Sequence, residues 1–318
     1  MKRFPLYIII WLVLAPSAAR GDGPGLTVHE FGVFTWGDGA LHGILDEEVP
    51  PFIKDACTVT RPPLLRPEPP PKPPRPVRKP LVYFHGAPTS GVDVVVNFKS
   101  GRASWVYPCG DVPDPVTVEW KGLSLARDAV HPMPDPGPSP AFEWIHLARR
   151  PAALHVVGAK QSEKFLFYDG LLTGPTRLET HRRGDRLTLI NRTDNPLYDI
   201  LVVHRERGSV ATVWLADGGK GIPVDGSVVV ILPGREPIPK NFEDGMTGAL
   251  AERLKGAGLH QDEALAMAEM FESEFFGRDG LRVIARMPQA TYDDLLPLTM
   301  TPAPAKTVRV GLIEMIVE

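Results

Sequence analysis

Leu26-Thr27-Val28-His29-Glu30-Phe31-Gly32-Val33-Phe34-Thr35-Trp36 is rich in valine, phenylalanine, threonine and tryptophan and holds no run of helix formers, the composition of a β-strand. Gly37-Asp38-Gly39 ends it as a turn. A histidine and a carboxylate stand side by side in this apolar run. Successive side chains of a strand point to opposite faces, so His29 shares a face with Phe31, Val33 and Thr35, and Glu30 with Gly32, Phe34 and Trp36. The two cannot reach one metal ion unless the strand bulges. A buried carboxylate costs several kcal/mol unless it is paired or hydrogen-bonded. Glu30 therefore needs either a chemical role or an arginine that neutralises it.

The pattern around this stretch is mainly β. Short strands at 81–85, 92–98, 103–107 and 116–120 are separated by glycine, proline and aspartate turns, and further strands read at 154–157, 164–168, 176–181, 186–191, 198–205, 209–215 and 227–232. That spacing predicts antiparallel β-sandwich units. Helical periodicity enters only near the C-terminus, at 247–255 and 261–276, as a helical hairpin broken by Gly256 and Gly258. Strands at 281–287 and 307–316 flank a short helical turn at 292–295. The fold class expected is mainly β (α+β), antiparallel β-sandwich units with a C-terminal helical hairpin spanning 247–276.

Proline divides the chain. Of the 35 prolines, 15 fall in two short stretches, the loop 61–80 and the connection 131–141. Backbone donors are missing and φ is set at each proline, so the first reads as an extended spacer outside any sheet. The organisation expected is a first β unit at 20–130 and a second at 142–318. Ahead of them, Lys2 and Arg3, an apolar run at 6–14, and small residues at Ser17 and Ala19 have the form of a signal peptide over 1–19. The mature protein is then periplasmic or secreted, and no later stretch is long and apolar enough to cross a membrane. A formal charge of −3 gives no attraction for phosphate backbones, so nucleic acid is not an expected partner, whereas an envelope or extracellular ligand is compatible with export. Two cysteines, Cys57 and Cys109, remain after the signal. An oxidising compartment favours a disulfide between them, which would contribute about 4 kcal/mol in the chain-entropy account, although they are far apart in sequence and form no C-x-x-C motif.

The common catalytic signatures are absent. Val33 stands where an H-E-x-x-H zinc motif needs its second histidine, and the chain has no G-x-S-x-G elbow, phosphate loop or P-C-x-x-C. The remaining candidates for catalysis are His29, Glu30, His146 and Arg149, the latter two in an aromatic context after the second proline-rich stretch. For metal binding they are His29, His146, and the pair His204 and Glu206, which shares a strand face as Glu179 and His181 do. A divalent metal is the cofactor such residues imply, though no complete motif specifies it. Met267 and Met270 read as core side chains. His260-Gln261-Asp262-Glu263 reads as the capping box of the second helix, a structural device.

Several segments resemble a family of exported bacterial proteins of uncharacterised function that carry an H-E-W-G-T-F-T-like signature. Here the signature is His29-Glu30-Phe31-Gly32-Val33-Phe34-Thr35, with Phe31 and Val33 departing from it. Pro80-Leu81-Val82-Tyr83-Phe84, Glu163-Lys164-Phe165-Leu166-Phe167-Tyr168-Asp169-Gly170, Gly258-Leu259-His260-Gln261-Asp262-Glu263-Ala264-Leu265-Ala266-Met267, Gly280-Leu281-Arg282-Val283-Ile284 and Val308-Arg309-Val310-Gly311-Leu312-Ile313-Glu314 also fit. The resemblance implies export and a shared fold, and supplies no reaction. Two functions are thus expected to compete: a non-catalytic extracytoplasmic binding or envelope-associated protein, and a metal-dependent hydrolase using His29 or Glu30.

Overall fold

A computed structural model of the chain describes residues 25–36, 45–56, 75–173, 178–215 and 221–317. The expected signal segment, Cys57 and most of the first proline-rich stretch lie outside the described residues. The strands are β1 (Thr27–Trp36), β2 (Arg75–His85), β3 (Thr89–Asn97), β4 (Gly101–Tyr107), β5 (Asp111–Asp114), β6 (Thr117–Ala126), β7 (His155–Val157), β8 (Ser162–Glu163), β9 (Leu166–Leu172), β10 (Leu178–Arg183), β11 (Arg186–Asn191), β12 (Tyr198–Glu206), β13 (Ser209–Trp214), β14 (Ser227–Ile231), β15 (Glu236–Pro237), β16 (Gly280–Met287), β17 (Leu298–Thr301) and β18 (Lys306–Val317). The helices are α1 (Pro51–Ala56), α2 (Glu143–Ala148), α3 (Phe242–Gly256), α4 (Gln261–Met270) and α5 (Gln289–Leu295).

β1 lies inside a nine-stranded sheet of order β15-β13-β12-β16-β18-β1-β2-β9-β4. It runs parallel to β18 and antiparallel to β2. A strand flanked and covered on both faces carries apolar residues on both and not merely on alternate positions, which accounts for Val28 and Phe34 on one face of the opening stretch and Phe31 and Val33 on the other. Its two faces enter different cores. Val28, Phe34 and Trp36 pack with Val94, Val118 and Leu187, contributed by a sheet of β17, β3, β6, β7 and β8 with β5 beside β6, and by a three-stranded sheet β10-β11-β14. Phe31 and Val33 pack instead with Trp144, Leu254 and Met267 from the helices and with Phe271 at the end of α4. The layers are therefore helices, the large sheet, and two smaller sheets, which is the mainly β, sandwich-like class expected.

β1, β2 and β4 come from before residue 131, and the other six strands of the large sheet from after 141. The expected boundary at 131–141 thus crosses the chain without dividing the sheet. The proline-rich stretch also needs a correction at its end: Arg75 and Pro76 belong to β2 and pair with Leu172 and Leu171 of β9. The pairing tolerates proline because the register slips between Val77 and Leu81, leaving Pro80 in a bulge where no ladder hydrogen bond is asked of it. Lys79 takes a φ of 49° in the same bulge. No disulfide is found among the described residues, and Cys109 lies at the surface.

The helical hairpin is present as α3 and α4. α3 begins earlier than its apolar periodicity suggested, with Glu243 and Asp244 in its first turn, where carboxylates complement the helix dipole. α4 stops at Met270, and a π-helical turn at Ser273–Gly277 follows.

Candidate metal centre

His29 projects from the helix-facing side of β1 and stands opposite Tyr83 of β2, while His85 stands opposite Thr27. His29 and His85 are therefore diagonal neighbours on one sheet face, with ring centroids 4.9 Å apart. The start of α4 descends on this corner. Glu263, at the third helical position, accepts the backbone N–H of His260 at 2.8 Å, as a capping box requires. The same carboxylate reaches the sheet: Oε2 lies 2.6 Å from Nδ1 of His29 and Oε1 lies 2.8 Å from Nε2 of His85. His260 completes the group, its ring centroid 4.5 Å from that of His29 and 4.4 Å from that of His85.

Three imidazoles and a carboxylate thus offer nitrogen and oxygen atoms that all lie within 4.8 Å of one another. Imidazole and carboxylate are donors for zinc and its first-row neighbours. Burial alone would raise the Glu263 carboxyl, but the hydrogen bonds from His29 and His85 outweigh it and hold the group down at about 2. The carboxylate is therefore anionic near neutrality. Burial, opposed by Glu263 and reinforced by the two neighbouring imidazoles, lowers the pKa of His260 and favours the neutral ring that a metal requires.

Glu30 lies on the other face of β1 and meets none of these groups. Nε of Arg309 donates to it at 2.6 Å and the Tyr292 hydroxyl at 3.0 Å, and the Tyr168 hydroxyl donates as well. Burial and the charge of Glu30 push both phenols well above their usual range, so each remains a donor. Arg309 is the arginine that the buried carboxylate called for, and it also reaches Asp293 at 2.8 Å. Tyr292 fits because Gly32 and Gly311 are register partners on adjacent strands. A Cβ at Gly32 would stand 2.9 Å from the Tyr292 hydroxyl oxygen, and one at Gly311 would stand 3.1 Å from its ring.

The other candidates are placed elsewhere. Arg149 donates to Glu163 through Nε at 3.0 Å and Nη2 at 2.6 Å, and through Nη1 to the Pro134 carbonyl. His146 sits exposed on α2. His204 and Glu206 share Arg235, which approaches His204 Nε2 at 3.0 Å and Glu206 at 2.9 Å. Burial and that guanidinium lower the pKa of His204. Glu179 pairs with Arg192 at 3.3 Å, and Met267 and Met270 belong to the core beneath the helices. Among the described residues only His29, His85, His260 and Glu263 form a group of this kind. Sequence reasoning found the first of them, took His260 and Glu263 as a cap, and gave His85 no role. A capping box carries no mark of whether its carboxylate also faces another element.

No protein-family model matches the chain, and no curated protein matches it in sequence.

Proposed function

We propose that the protein is an exported metalloprotein that holds a divalent transition metal, zinc by its donor chemistry, on His29, His85, His260 and Glu263. The observation that carries this reading is the convergence of three imidazoles on one solvent-excluded carboxylate at the junction of β1, β2 and α4. A dication placed among them would meet all four side chains at once. The extracytoplasmic location comes from the signal-like N-terminus, and the reading makes the protein a binding protein whose primary ligand is a metal ion. A hydrolase is the second reading. The exposure of His260 favours it, since one side of the group faces solvent.

The test is metal analysis of protein purified from the periplasm of an expression host without chelators. Stoichiometric zinc or a neighbouring transition metal is expected, and its loss from His29→Ala. If native protein holds no metal after zinc supplementation, the proposal is wrong.

A further inference from the structure

The four side chains of the centre are not equivalent. His29 and Glu263 are 1% and 0% exposed, His85 is 11% exposed and His260 is 52% exposed. Glu263 is within hydrogen-bond distance of both His29 and His85, whereas its oxygen lies 4.0 Å from Nδ1 of His260. His29 and His85 are fixed on hydrogen-bonded strands. His260 has an extended backbone just outside α4, two residues beyond Gly258, whose φ of 112° permits the sharp turn there. Its ring, more than half exposed, lies between the other three groups and water.

Structural zinc sites fill all four positions with protein ligands, while catalytic sites keep three and leave one for an exogenous ligand. Two histidines and a glutamate are one of the established three-ligand sets. From the inequality of the four groups, and resting on the metal-binding reading above, we infer that His29, His85 and Glu263 form the permanent ligand set. The position beside His260 is then exchangeable and accepts a small anionic or oxygen ligand from solvent. His260 occupies or flanks that position and yields it when such a ligand arrives. The site would take a water molecule, or a ligand that presents a carboxylate-like group, at its solvent edge.

The experiment uses the full exported chain loaded with Co²⁺, titrated with sodium azide, and competitive Zn²⁺ affinity measurements on native protein, His260→Ala, His29→Ala and His85→Ala. The expected result is a saturable change in the Co²⁺ absorption spectrum with azide in the native protein. In the affinity series, His260→Ala should weaken zinc by no more than about tenfold, and His29→Ala or His85→Ala by more than about a hundredfold. Equal losses in all three variants together with a spectrum unmoved by azide would overturn the inference in favour of a closed site with four protein ligands, leaving the metal reading intact. Absence of metal binding in the native protein would overturn both. The azide titration needs no variant, so misfolding of a mutant does not decide the outcome.

Discussion

Oε2 of Glu263 lies 2.6 Å from Nδ1 of His29, with both side chains closed off from solvent. This contact joins the start of α4 to the centre of the large sheet. A dication placed there would connect β1, β2 and the helical hairpin, and ligand binding to the folded state alone stabilises it by mass action. Protein stripped with a chelator should therefore unfold at a lower temperature than protein with zinc at a thousandfold excess over its dissociation constant, the difference corresponding to about 4 kcal/mol. Glu263→Gln should lose that response to zinc. Thermal unfolding with and without added metal measures both.

Glu30 gives the opposite expectation. Replacing it with glutamine leaves the buried Arg309 with only the half-exposed Asp293 as a charge partner, a change that costs up to about 3–5 kcal/mol. Nothing on the helix-facing side of β1 is altered. Glu30→Gln should thus lower the denaturant midpoint strongly while the folded fraction retains its metal. A parallel loss of metal from well-folded protein would show that the two faces of β1 are coupled.

The slot for Tyr292 makes a third case. A methyl group at residue 32 would stand 2.9 Å from the Tyr292 hydroxyl oxygen and 3.3 Å from Pro80. That hydroxyl is tied to Glu30, so it cannot move away freely. Gly32→Ala should destabilise by roughly 1–3 kcal/mol, as overpacking does, and by less in a Tyr292→Phe background where the nearest atom is gone. A double-mutant cycle in denaturant reads the coupling.

Glu314 supplies a pH dependence. Its carboxylate accepts from Thr35 at 3.3 Å and lies 3.7 Å from Nε of Arg282. Burial, and then the charge of Glu274, push its carboxyl up to about 7. A group that binds its proton more tightly when folded contributes stability that is full below its unfolded pKa of about 4.5 and is lost as the pH rises through about 7. Between pH 5 and pH 8 this group should remove roughly 2–3 kcal/mol. Glu314→Gln should abolish that component, so the difference between native and variant unfolding free energies should change sharply over the window. A difference that stays flat would show that Glu314 does not titrate there.

Local chemistry determined a good deal by itself. The Val-, Phe- and Thr-rich composition of residues 26–36 determined a strand, and its alternation separated His29 from Glu30 on opposite faces. Helical periodicity and two glycines determined the hairpin, and His260 with Glu263 determined a capped helix start. Each is a property of neighbours in the chain, where backbone geometry alone sets direction. The partners were decided by tertiary structure. Arg309, which neutralises Glu30, arrives through the parallel pairing of β1 with β18. His85 and Glu263 reach His29 through strand register and through the packing of α4 on the sheet. No local propensity encodes such meetings. They follow from which apolar faces the whole chain can bury together, and that choice turned a helix cap and two separated histidines into one candidate centre.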